Sequence, residues 1–180
     1  MLKPNDTWTW FFDERESALM LDLGDNMMFK VNLAKKLLVD CAYTRSDFTV
    51  DDASSFQTFK DQAALLDLSV PRQAELILNC VANKRFHKPV QPKSWFFEPS
   101  GTDYVPNEGD IVHLHNRYGE GYFIVIDVCE TASLCAYIEQ GEFVLDGRKA
   151  LSFGQPIKVM HDRMLCANQN FADMPIALVG

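Results

Sequence analysis

The chain has 180 residues, 47% of them hydrophobic and 23% charged, the balance of an ordinary globular protein of one domain or two small ones. Its 25 acidic and 17 basic residues give a formal charge of −8, split as −2 over residues 1–90 and −6 over 91–180. With no long basic run, this excludes a general binder of nucleic-acid backbones.

The first third reads as a β meander. TWTWFF (7–12) ends at the charged turn DERES, ALMLDL (18–23) ends at Gly24-Asp25-Asn26, and MMFKV (27–31) follows. Strand-like runs separated by turn residues are hairpin signals. LAKKLL (33–38) reads as a short basic amphipathic helix with Asn32 as its cap. Asp51 or Asp52 then caps a helix in which Ala53, Phe56, Phe59, Ala63 and Leu66 recur at helical spacing. Ser69 caps a second helix, VPRQAELILNCVANKRF, with Pro71 in its first turn and Ala74, Ile77, Leu78 and Val81 as its buried stripe. Lys84, Arg85, His87 and Lys88 gather at its C-terminal end, complementing the helix dipole.

From residue 93 the helical period disappears. KSWFFE, GDIVHLH, GYFIVIDVC, SLCAYIE, EFVL and PIKVMH read as short strands divided by glycines, the pattern of a small barrel or sandwich. Pro89 and Pro92 bar helix continuation, so the expected boundary lies at 88–92. The expected class is α+β: an N-terminal α/β domain over 1–90, then a small twisted β-barrel-like domain over 91–180. The stretch HKPVQPKSWFFEPSG is thus a linker that runs into an aromatic strand.

Five scattered cysteines without a CxxC pair fit reduced thiols, and the N-terminus lacks the pattern of a secretory signal. The expected compartment is the cytosol, and no apolar run is long enough for a membrane span. His113 and His115 share one strand face but have no third ligand in spacing, so they read as surface histidines. Gly119-Glu120-Gly121 precedes a strand and reads as a hairpin turn, not a phosphate loop. No nucleophile elbow, zincin or P-loop motif occurs, so no catalytic residue, metal ligand or cofactor is expected. Consecutive aromatics at Trp8–Phe12 and Trp95–Phe97 must send rings to opposite strand faces, where a helix layer or a partner covers them.

The collinear set WTWFFDE, MLDLGDNMMFK, FTVDDASSF, LSVPRQAELILN, KPVQPKSWFF and GQPIKVMHDR resembles the ZapC family over residues 3–165. That resemblance implies a cytosolic division-ring factor without enzymatic activity, acting at mid-cell. It implies binding to the folded core of the acidic GTPase FtsZ, lateral bundling of its filaments and lower GTP turnover. It also implies a monomer with two contact surfaces and one pocket per domain. An apolar C-domain pocket with a basic rim would be drawn from Lys88, Lys93, Trp95, Arg148, Lys158 and Arg163, and an N-domain pocket from Leu21, Trp10 and Phe12. Two other readings are a nucleic-acid-binding barrel that stacks bases on Trp95–Phe97, which needs an electropositive groove, and a small enzyme using His113, His115 and Asp110.

Overall fold

Alternation in the N-terminal run builds strand β1 (Thr9–Asp13), which pairs antiparallel with β2 (Ala18–Asp22) so that Trp10 lies opposite Leu21. The structure, a computed structural model, describes residues 2–172; residues 173–180, assigned above to the second domain, lie outside the described residues. With β3 (Met28–Lys30) and β4 (Ser46–Asp47), these strands form a sheet in the order β3-β2-β1-β4. Trp8, Trp10, Leu19 and Leu21 bury themselves in one core, while Phe11 is half-buried with the Arg45 guanidinium 5.5 Å from its ring centre. The β2–β3 turn has positive φ at Gly24, Asp25 and Asn26, residue types that tolerate the left-handed region.

The 33–38 segment differs from the expected helix. It makes only one 3₁₀ turn, Lys35–Leu37, and Asn32 does not cap it: the Asn32 N–H is donated to Asn79 Oδ1 at 2.8 Å. Helix α1 (Val50–Ala63) is capped by Thr49, not by an aspartate. Thr49 Oγ1 accepts the Asp52 N–H at 3.1 Å and Asp52 accepts the Thr49 N–H at 3.0 Å, a reciprocal capping box. Helix α2 (Val70–Phe86) begins as expected, with Ser69 Oγ accepting the Arg72 N–H. Its residues 76–83 are buried on every side.

The second half explains that burial. Strands β5 (Ile111–Asn116), β6 (Gly119–Val128) and β7 (Ala132–Tyr137) are followed by a ribbon of β8 (Glu142–Val144) and β9 (Ala150–Ser152). Then come β10 (Pro156–Met160), β11 (Leu165–Cys166) and α3 (Asn168–Ala172). The main sheet is antiparallel and open, in the order β10-β7-β6-β5-β11. Successive residues feed opposite cores. Ile111, Ile124, Leu134 and Ala136 join α1, α2 and the N-terminal sheet. Val112, Phe123, Val125 and Cys135 pack with Phe96, Phe97, Phe143 and Leu151. Both faces are covered, so the strands read as continuous apolar runs. The α+β class is as expected, but the sheet does not close into a barrel: α2 covers one face and the ribbon the other.

Two local readings also change. KSWFFE is a 3₁₀ turn, Ser94–Phe96, not a strand. The β5–β6 turn is Arg117-Tyr118, where Asn116 Oδ1 accepts the Tyr118 and Gly119 N–H groups, and Gly121 lies within β6. A Cβ on Gly121 would meet the Phe143 ring at 2.9 Å, so close ring approach, not a turn, requires that glycine.

Candidate functional site

After α2 the chain is pinned where the halves meet. His87 bridges Leu38, and the Lys88 N–H donates to Leu37 O at 2.8 Å. Past Pro89 and Pro92, the Lys93 N–H donates to Lys158 O on β10 at 2.8 Å. These bonds hold the 3₁₀ turn of 35–37, the linker, the β8–β9 ribbon and β10 around a cavity of about 450 Å³. Leu37, Phe96, Leu145, Leu151 and Ile157 supply apolar surface, and Lys36, Lys93, Arg148, Lys149 and Lys158 supply five cations.

No carboxylate lines this cavity. Lys30, Arg45, Arg72, Lys84, Arg85 and Arg163 each have a carboxylate within 4.0 Å, whereas among the described residues none of the five cavity cations does. The acidic 91–180 half holds only six cations, and four of them converge here. Asp146 stands nearby, held below the usual carboxylate range chiefly by the Arg148 backbone N–H, but it does not line the cavity. Lys149 Nζ sits 5.8 Å from the Phe96 ring centre, joining charge to the apolar wall. His87 also lines the cavity, and burial, with Lys158's charge as a further contribution, holds its imidazole below the usual range.

Of the residues expected at the C-terminal pocket, the structure brings together Lys93, Arg148 and Lys158. Lys88 stands beside them, lining a small adjoining hollow with His87 and Lys158. Trp95 is 70% exposed and outside the lining, while Phe96 and Phe97 are buried. A stack of bases therefore finds one exposed ring there, not three. Arg163 serves the turn: its Nε donates to Ser94 O at 3.3 Å and Phe97 O at 3.2 Å. Lys36 and Lys149 were missed, since nothing in sequence distance marks a lysine of a 3₁₀ turn and one of a ribbon loop as neighbours.

The N-terminal set sits differently. Trp10 and Leu21 are cross-strand partners with no exposed surface, and Phe12 is half-buried against Tyr43 at 4.7 Å. A second hollow, of about 360 Å³, lies between Lys30–Leu37 and Gln155-Pro156, and shares Leu37, Leu151, Gln155 and Pro156 with the cation-lined cavity.

The histidines form no metal centre among the described residues. His113 and His115 lie 3.3 Å from Glu120 and Glu98 respectively. Asp110 is occupied by Tyr104, the Asn107 N–H and Asn168. Ser133 Oγ and His161 Nε2 are 2.8 Å apart, the contact of a nucleophile–base pair, but Ser133 has no exposed surface for a substrate to reach. No helix among the described residues is long and apolar enough to cross a membrane.

Comparison with known proteins identifies the family. The family model for the N-terminal part of the cell-division protein ZapC matches residues 1–88, and that for its C-terminal part matches 89–170. The chain is 57% identical to a cell division protein ZapC of Vibrio vulnificus over the full length of both. It is 55% identical to that of Vibrio cholerae over 99% of each chain, and 39% to that of Aeromonas hydrophila over 91%. The chain belongs to the ZapC family of cell-division proteins.

Proposed function

We propose that this chain is a cytosolic division-ring factor that binds the folded core of FtsZ through the cation-lined cavity, bundles FtsZ filaments and lowers their GTP turnover. The carrying observation is the convergence of five cations, without a carboxylate, in a chain of net charge −8. FtsZ is acidic, so two acidic proteins must attract through a local patch. At physiological salt the Debye length is about 8 Å, which lets neighbouring charges outweigh the distant net charge. The cations steer and orient the encounter, and the apolar wall around Phe96 and Ile157 supplies burial.

Bundling needs contact with two subunits. The cavity and the adjoining hollow near Lys30–Leu37 offer two surfaces on one monomer, and weak contacts along a filament add through avidity. Trp10 and Leu21 act from beneath, by holding the sheet that carries the second surface. The chain works without catalysis, cofactor, nucleic acid or membrane, at the mid-cell division site.

Sedimentation with FtsZ polymerised in GTP tests this reading. The chain is expected to co-pellet and to increase the pelleted FtsZ, with binding that weakens as salt rises from about 50 to 150 mM because exposed charges are screened. Pelleting unchanged by the chain would contradict it.

A further inference from the structure

We propose that the cation-lined cavity is also a binding site for an organic polyphosphate of the nucleoside triphosphate class, whose occupancy excludes an acidic protein partner. The polyphosphate site goes beyond FtsZ binding and does not rest on it; the exclusion of a protein partner rests on that reading.

Three observations converge. First, a volume of about 450 Å³ lies in the range of small-molecule sites, roughly 300–1,000 Å³, and exceeds what an inorganic ion fills. Second, the site combines cations with an apolar wall: Lys93, Arg148, Lys149 and Lys158 suit phosphoryl oxygens, while Phe96 and Ile157 suit a flat base. Arg148 adds the planar fork that matches phosphate in two hydrogen bonds. Third, five like charges share a lining that holds no carboxylate, with Asp146 behind Arg148 and Lys149 as a partial counter-charge, and a bound polyanion relieves the remaining repulsion as well as making contacts. His87 shares the lining, and its imidazole is held below the usual range chiefly by burial, with Lys158's charge a smaller contribution. An acidic protein segment and a polyphosphate draw on the same cations, so each displaces the other.

The test uses the full chain without FtsZ, so its failure and the failure of the FtsZ reading are separate results. Calorimetric titration with ATP, inorganic tripolyphosphate and adenosine is expected to show one ATP per chain, weaker tripolyphosphate and no adenosine. Losing a charge-assisted phosphate contact lowers affinity about tenfold or more. Lys149→Glu and Lys158→Glu should each lose at least that, and Lys60→Glu, on α1, should lose little. A wild-type readout stands beside the variants: ATP should raise the His87 pKa measured by NMR, because a bound anion favours the protonated ring. If the variants fail to fold, that titration decides alone. No binding of ATP, or a His87 titration unmoved by it, overturns the proposal. Tripolyphosphate binding as tightly as ATP overturns the assignment to an organic ligand.

Discussion

Asp52→Ala is expected to destabilise the fold by about 3–5 kcal/mol, the cost of breaking a buried ion pair by removing one partner. Asp52 is 4% exposed and joins three elements. Its Oδ2 accepts from the Trp10 indole N–H at 3.0 Å, from the Thr49 N–H at 3.0 Å and from Arg85 Nη1 at 2.5 Å. Alanine removes an acceptor from all three donors, and the Trp10 indole is the one orphaned, since it has no exposed surface through which to find water. Arg85 is a quarter exposed and retains bonds to Asp47 O and Ser46, which places the effect toward the lower end of that range. Asp52→Asn keeps the volume and an acceptor but not the charge, so it should cost less. Urea unfolding of the three proteins checks this; a loss below about 1 kcal/mol for Asp52→Ala would show that the network adds little.

Leu21→Ala should cost about 2–5 kcal/mol, as large-to-small changes in a packed core do. Leu21 has no exposed surface and faces Trp10 across the β1–β2 pair. Sheet, α1 and α2 meet in that core, so the space left by the side chain is walled by rings and helix and collapses poorly. The same position bears on partner binding. Because the side chain does not reach the surface, FtsZ pelleting should persist well below the lowered melting temperature. Unchanged melting with lost pelleting would place Leu21 at a contact surface instead.

The hairpins, both long helices and the Ser69 cap were legible because each rests on local pattern: period two, period 3.6, and a hydroxyl before Pro71. Thr49 was overlooked as a cap because Asp51 and Asp52 look like stronger candidates. The box places the acid three residues inside the helix, where Asp52 also reaches Trp10. The second sheet stays open where its glycine-divided runs predict a barrel-like domain, for a tertiary reason. Runs such as YFIVI and LCAYI are apolar at every position because α2 lies on one face and the ribbon on the other, and neither neighbour is visible in the strand itself. The aromatics of 93–98 predict a strand, yet Ser94 is drawn into a turn that Arg163 holds.

The candidate site was half legible for a related reason. Lys93 and Lys158 are tied by a backbone hydrogen bond that follows from the chain's return path, while Trp95, two residues on from Lys93, is exposed and outside the lining. Nearness in sequence fixes nearness in space but not direction.

The central claim is that the cavity's cations, and not net charge, draw FtsZ. Co-sedimentation of polymerised FtsZ with Lys93→Glu beside Lys60→Glu tests it most directly, since both make the same charge change and only Lys93 lines the cavity. Lys93 is exposed, where substitutions stay within about 0.5 kcal/mol, so its melting should hold; Lys60 is half-buried in the last turn of α1, where an acid opposes the helix dipole, and its change should cost up to about 1 kcal/mol. A rim charge reversal acts mainly on association rate and salt dependence. Lys93→Glu should therefore lose most of its pelleting with FtsZ, while Lys60→Glu pellets like the parent chain. Equal, small losses for both variants would contradict the account.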